Sequence, residues 1–127
     1  MKAGDVLPAI TIDPISRKTL ALYAGASGDH NPMHIDLDEA RAFGFDDVFV
    51  HGMLSMAYLG RVLTDRFPQD RIRSFSVRFT SITPVHGQPT CVARVTEVAD
   101  GLARLELEST LPDGTVTLRG TAVVATE

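Results

Sequence analysis

Residues 52–60 read GMLSMAYLG and contain no charged side chain. Apolar residues continue with helical spacing through Val62, Leu63 and Phe67. A helix that is apolar on nearly every side is usually buried in its domain. The pattern therefore predicts one long buried helix in the middle of the chain.

The C-terminal half shows a different pattern, in which apolar and polar residues alternate. Phe75, Val77 and Phe79 are separated by polar side chains, and Leu105 and Leu107 alternate with charged ones. Such alternation is typical of half-buried strands. We expect an antiparallel meander, because turn residues separate the strand-like runs. These runs lie near 71–82, 88–99, 102–111 and 115–125.

Four or five half-polar strands form a sheet with one apolar face, and this face must pack against another apolar element. The central helix is the element available for this packing. The expected architecture is α+β: a hot-dog fold, in which a curved antiparallel sheet wraps around one long buried helix. Two shorter helical pieces are expected before it. One lies at 19–24, and the other begins near Asp36, with Asp36 or Asp38 as its cap, and ends at Gly44. An open two-layer sandwich and a cystatin-like arrangement remain alternatives, because periodicity alone does not distinguish them.

Length and composition indicate a single globular domain over residues 1–127, with 44% apolar and 22% charged residues. The net charge of -4 argues against a nucleic-acid partner. No apolar run is long enough for a membrane span, and the first residues do not resemble a signal peptide, so we expect a cytoplasmic protein. The single cysteine, Cys91, lies in an alternating segment and is expected to be a buried strand thiol.

Residues 28–34 read GDHNPMH, which is a strong turn signal. Asp29 and His34 stand five residues apart across this rigid turn, so they can converge on one point and activate a water. Each also has a simpler explanation, with Asp29 as a turn cap and His34 as a structural histidine.

A metal site is a competing interpretation, because Asp29, His30, His34 and His51 are ligand types that zinc or iron accepts. His30 and His34 would share a face only in a helix, and Pro32 between them disfavours one. We therefore predict no metal.

The start of the central helix is a candidate oxyanion hole. The backbone N–H groups of Gly52 and Met53 would be free there, at the positive end of the helix dipole, which suits the oxygen of a thioester enolate. Close packing of the helix on the sheet explains Gly52 equally well.

The segments SGDHNPMH and HGMLSMAYLG closely resemble the MaoC-like dehydratases, also called R-specific enoyl-CoA hydratases, and the related 3-hydroxyacyl-ACP dehydratases. The family pattern G-D-x-N-P-x-H is matched by Gly28, Asp29, Asn31, Pro32 and His34. The resemblance extends over nearly the whole chain, from GDVLP at the start to the last strand.

The resemblance implies a hot-dog fold, usually a homodimer whose sheets join edge to edge. It implies that Asp29 and His34 activate a water that attacks C3 of a trans-2-enoyl thioester, carried by CoA or acyl carrier protein, to give an R product. Asn31 and His51 are assigned as site-organising residues. No cofactor is expected, because the thioester carbonyl already acidifies C2.

Two features qualify this assignment. Several R-hydratases have a serine six residues after the HGM histidine, where this chain has Ala57, and Ser55 stands earlier in the helix. Arginines also cluster between residues 61 and 78, and we assign Arg73 and Arg78 as possible contacts for CoA phosphates or an acidic carrier protein. An ordinary solvated surface is the alternative explanation for these arginines.

Two other functions remain open. A hot-dog thioesterase would hydrolyse the thioester, although the complete hydratase motif weighs against it. The chain could instead be the catalytic subunit of a heterodimeric 3-hydroxyacyl-ACP dehydratase.

Overall fold

The computed structural model describes residues 1–127 and has five strands and three α-helices. The helices are α1 (Arg17–Ser27), α2 (Leu37–Ala42) and α3 (Gly52–Thr64), with short 3-10 helices at Pro32–His34 and Gln69–Arg71. The strands are β1 (Ile10–Thr11), β2 (Ile72–Phe79), β3 (Thr90–Ala99), β4 (Leu102–Thr110) and β5 (Val116–Ala125). None of the helices has the length and apolar character needed to cross a membrane.

The strands form one antiparallel sheet in the order β1-β3-β4-β5-β2. Strands β3 and β4 are joined by the two residues Asp100 and Gly101, both with positive φ (56° and 76°), as a tight hairpin turn requires. Register shifts occur in the pairings of β2 with β5, of β3 with β4 and of β4 with β5. Such irregularities bend a strand and increase its twist, which helps the sheet to curve around a helix. The α+β hot-dog architecture predicted from the sequence is confirmed.

Helix α3 packs on the sheet through its two glycines. A Cβ atom at Gly52 would lie 3.1 Å from the ring of Phe79, and one at Gly60 would lie 3.2 Å from the ring of Phe75. Because glycine has no side chain, the helix can lie directly against the aromatic rings of β2. Phe75 and Phe79 therefore face the helix, on the same side of the strand as Val77, and Ser76 and Arg78 face the opposite side of the sheet.

The central helix is buried on one side only. Leu59, Val62 and Leu63 lie in the core, whereas Ala57 is exposed and Met53 keeps 57% of its surface exposed. The sequence predicted burial on nearly every side. The difference has a physical reason: a single five-stranded sheet covers one face of a helix, and the remaining apolar face lies open in one chain.

The shorter elements follow their local signals. Asp36 caps α2, as predicted, by accepting hydrogen bonds from the N–H groups of Asp38 and Glu39. The helical piece expected at 19–24 is longer, since Ser16 caps its start and Gly28, in the left-handed conformation, ends it. Cys91 is buried in β3, as predicted, and burial raises the pKa of its thiol.

Candidate active site

The turn after α1 is built from two consecutive side-chain caps. Oδ1 of Asp29 accepts a hydrogen bond from the N–H of Asn31 (3.2 Å), and Oδ1 of Asn31 accepts one from the N–H of Met33 (3.1 Å). Pro32 then begins the 3-10 helix that ends at His34. Asp29 therefore holds the turn with one carboxylate oxygen, and its second oxygen points elsewhere.

His34 is buried and has a fixed orientation. Its Nδ1 lies 2.7 Å from the carbonyl oxygen of Phe49, and since a carbonyl only accepts, Nδ1 carries the proton. In the neutral ring, Nε2 is then an unprotonated base. The edge of the ring also packs against the Phe49 ring.

The free nitrogen of His34 faces the second oxygen of Asp29. Nε2 of His34 and Oδ2 of Asp29 are 3.9 Å apart, which is too long for a direct hydrogen bond. A single water can bond to both atoms at about 2.8 Å from each. The side chain of Asp29 is 49% exposed, so such a water can be supplied from solvent.

His51 lies directly behind this pair. Its ring is fully buried, stacks on His34 with centroids 4.0 Å apart, and places Nε2 3.2 Å from the main-chain carbonyl oxygen of Asp29. Burial lowers the pKa of His51, and the neighbouring His34 lowers it further.

Asp29, His34 and His51 form a cluster whose donor atoms lie within 4.8 Å of one another, close enough for a metal ion. Two of the four ring nitrogens already bond to main-chain carbonyls. His30, the fourth residue considered as a ligand, is exposed and outside this cluster.

The N-terminus of α3 begins directly after His51. The N–H of Ser55 bonds back to the carbonyl of His51, whereas the N–H groups of Gly52 and Met53 have no acceptor within the protein. No side chain caps this helix end. Gly52 therefore packs closely against Phe79, and the same end of the helix carries the two free amide donors. The two explanations of Gly52 are compatible with each other.

A cavity of about 390 Å³ lies beside His34. It is lined by Arg17, Ala21, His34, Ile35, Leu37 and Val48, so most of its walls are apolar. Arg17 forms a two-pronged ion pair with Asp47, at 2.8 and 2.6 Å. Sequence reasoning missed this pair, because nothing in the local pattern connects residues thirty positions apart.

Arg73 and Arg78, the possible contacts for CoA phosphates or an acidic carrier protein, do not line the cavity beside His34. Arg78 faces the outer side of the sheet, next to Arg119 in the register, and Arg73 donates to the main-chain carbonyl of Asp70. Arg71 has a structural role, since it donates to the carbonyls of Ala125 and Thr126. Ser55 is buried within α3, and Ala57 is exposed.

Residues 4–111 match the MaoC-like domain family. The chain belongs to this family. It is 37% identical over 81 residues to the mitochondrial 3-hydroxyacyl-[acyl-carrier-protein] dehydratase of Arabidopsis thaliana, which covers 64% of this chain and 48% of that protein. It is 35% identical over 115 residues to 3-hydroxyacyl-thioester dehydratase X of Mycobacterium tuberculosis, which covers 89% of this chain and 40% of that protein. The MaoC-like chain thus spans less than half the length of these two relatives.

Two solved structures have the same fold. The (R)-hydratase from A. caviae involved in PHA biosynthesis superimposes with a TM-score of 0.89 at 24% identity, covering all of this chain and 98% of that one. A chain of the ChsH1-ChsH2 complex from Mycobacterium tuberculosis superimposes with a TM-score of 0.86 at 25% identity, covering 98% of both.

Proposed function

We propose that this MaoC-like chain is a hydro-lyase that reversibly hydrates trans-2-enoyl thioesters to (R)-3-hydroxyacyl thioesters. The observation that carries the proposal is the 3.9 Å gap between Nε2 of His34 and Oδ2 of Asp29, which fits one water. Membership of the MaoC-like family, with relatives named as dehydratases of 3-hydroxyacyl thioesters, supports the same reaction.

In the hydration direction, the oxygen of the held water forms a bond to C3 of the enoyl thioester. One proton of that water passes to Nε2 of His34, while the carboxylate of Asp29 orients the water and stabilises the imidazolium that forms. The electron pair of the C2–C3 double bond moves towards the carbonyl oxygen of the thioester. The resulting enolate then takes at C2 the proton that Nε2 of His34 received, which returns the histidine to its neutral form. Dehydration follows the same steps in reverse.

The free N–H groups of Gly52 and Met53 are the proposed donors to the thioester oxygen. They lie at the positive end of α3, where negative charge is favoured. Proton transfer by positioned groups contributes about 10²- to 10⁴-fold, and donors of this kind contribute about 10²- to 10³-fold. Asn31 and His51 organise the site. No resident metal or cofactor takes part in the proposed steps.

A second copy of this chain is the proposed partner. Strand β2 is an edge of the sheet that pairs only with β5. Beside it lie the exposed apolar residues Met53, Phe79 and Ile82, which a partner would cover. A homodimer in which two β2 edges meet would bury them, while a different MaoC-like chain is the alternative partner.

CoA and an acyl carrier protein are the two proposed carriers of the acyl group. Since Arg73 and Arg78 lie on the edge strand β2, any contact with carrier phosphates would take place at that edge, where Arg78 faces away from α3. A cytoplasmic location stays a prediction.

Hot-dog thioesterase activity is the competing reaction, because a carboxylate near a held water can also direct it at a carbonyl. We would incubate the protein with crotonyl-CoA and longer 2-enoyl-CoAs, follow the loss of the conjugated thioester absorbance, and assay free thiol in parallel. Hydration predicts loss of absorbance, no thiol release, and an (R)-3-hydroxyacyl-CoA product by chiral analysis. Thiol release in step with substrate loss would identify a thioesterase instead.

A further inference from the structure

His51 contains the one buried side-chain nitrogen or oxygen that has no hydrogen-bond partner, its Nδ1. The residue occupies the N-cap position of α3, but its side chain makes no capping hydrogen bond. Its Nε2 instead faces the main-chain carbonyl oxygen of Asp29 at 3.2 Å. A carbonyl oxygen cannot donate, so the ring proton lies on Nε2, and Nδ1 is an unprotonated acceptor.

The surroundings of the ring disfavour its charged form, because burial and the neighbouring His34 lower the pKa of His51. His34 stacks on one side, and the edge of Tyr23 from α1 packs at a centroid distance of 4.7 Å. The carboxylate of Asp29 and the His34 ring are the only charged or titratable groups close to it, apart from the Tyr23 phenol. A second proton would sit on Nδ1, buried and without an acceptor, beside a ring that must itself accept a proton.

The Asp29 loop has few other connections to the core. The N–H of Asp29 bonds only to the hydroxyl of Ser27, which is exposed, and the carboxylate holds the N–H of Asn31 within the same loop. The hydrogen bond from His51 is therefore the link between the main chain of Asp29 and a fully buried residue.

We propose that His51 is a positioning residue that sets the geometry between Asp29 and His34. Its Nε2–H anchors the main chain of Asp29, and its neutral ring is the surface on which His34 stacks. The inference rests on the proposed function and deepens it, because it explains how an exposed aspartate keeps a fixed distance from a buried histidine.

Two variants separate the anchor from simple packing. His51→Phe keeps an aromatic ring of similar size and removes the donor, whereas His51→Gln keeps an N–H donor and removes the ring. We expect His51→Phe to lower kcat by about 10²-fold with KM changed by less than about threefold, because a small misplacement of reacting groups costs about this much. We expect His51→Gln to recover at least about tenfold of that loss. Wild-type kcat in His51→Phe, or no recovery in a folded His51→Gln protein, would overturn the anchor.

A measurement on the unmodified protein requires neither turnover nor a folded variant. Nitrogen NMR of the histidine rings should find His51 neutral with its proton on Nε2 at pH values below the usual histidine pKa of 6.5. A proton on Nδ1, or titration at the usual pKa, would overturn the proposal. If the wild type hydrates no 2-enoyl thioester, the proposed function fails, and the NMR result alone then decides whether His51 anchors Asp29.

Discussion

Nε2 of His34 lies 3.9 Å from Oδ2 of Asp29, while the other nitrogen of His34 donates to the carbonyl of Phe49 at 2.7 Å. The second contact places the ring proton on Nδ1 and leaves Nε2 unprotonated. The first leaves a gap that one water can fill. Together they give a buried, unprotonated nitrogen and an exposed carboxylate oxygen that can bind the same water, as the proposed hydration requires.

The ion pair between Arg17 and Asp47, beside the cavity at His34, gives a pH-dependent prediction. Hydrogen bonding from Arg17 lowers the pKa of Asp47 to about 2 from its usual 3.8. Because the folded-state pKa lies below the unfolded one, this pair stabilises the protein above about pH 4, and the stabilisation is lost as the pH falls towards 2. We expect the free energy of unfolding to fall less steeply over this range in Asp47→Asn than in the wild type. Equal slopes in urea titrations would contradict this, and Asp13→Asn, at an exposed site without an ionic partner, is the control.

Two helical glycines provide a matched test of how α3 packs. A Cβ at Gly25 in α1 would meet no atom within 4 Å, whereas one at Gly60 in α3 would lie 3.2 Å from the Phe75 ring. Replacing an unhindered helical glycine by alanine stabilises a protein by about 0.5–1 kcal/mol. We expect this gain for Gly25→Ala in denaturant unfolding, and a smaller gain or a loss for Gly60→Ala. If both variants gained equally, the close approach of α3 to β2 would be wrong.

The exposed apolar surface beside β2 predicts self-association. We expect the wild type to sediment as a dimer, and Ile82→Asp, which places a charge on this surface, to shift the equilibrium towards monomer. Val98→Asp is the control, since Val98 is exposed to a similar degree (38% against 45%) in β3, which lies three strands from β2 in the sheet order. A monomeric wild type, or equal effects of both substitutions, would contradict the proposed interface.

The fold could be predicted because the spacing of apolar residues indicates most of its helices and strands. The alternation around Phe75, Val77 and Phe79 and the uncharged run after Gly52 set the strands and the helix. The same run did not predict that Met53 is exposed. A buried and an exposed apolar residue look alike in the sequence. Burial of one helix face depends on how many strands cover it, which is a tertiary property.

The site was predictable to a different extent. The motif predicted that Asp29 and His34 lie at the site. The turn formed by Asn31 and Pro32 explains why these two side chains are close together. The carbonyl of Phe49 and the ring of His51 contact His34 from distant parts of the chain, so the tautomer of His34 has no local signal. The position of Arg78 on the outer side of the sheet also has no local signal, because it depends on the register of β2 and β5.

The most direct test of the proposed chemistry is the rate of 2-enoyl-CoA hydration by wild type, Asp29→Asn and His34→Ala, with Asp13→Asn and the exposed loop variant His30→Ala as controls. If Asp29 and His34 act together on one water, each of the two site variants loses at least about 10²-fold in kcat while remaining folded, and both controls keep wild-type rates. Wild-type activity in either folded site variant would contradict the assignment of these two residues.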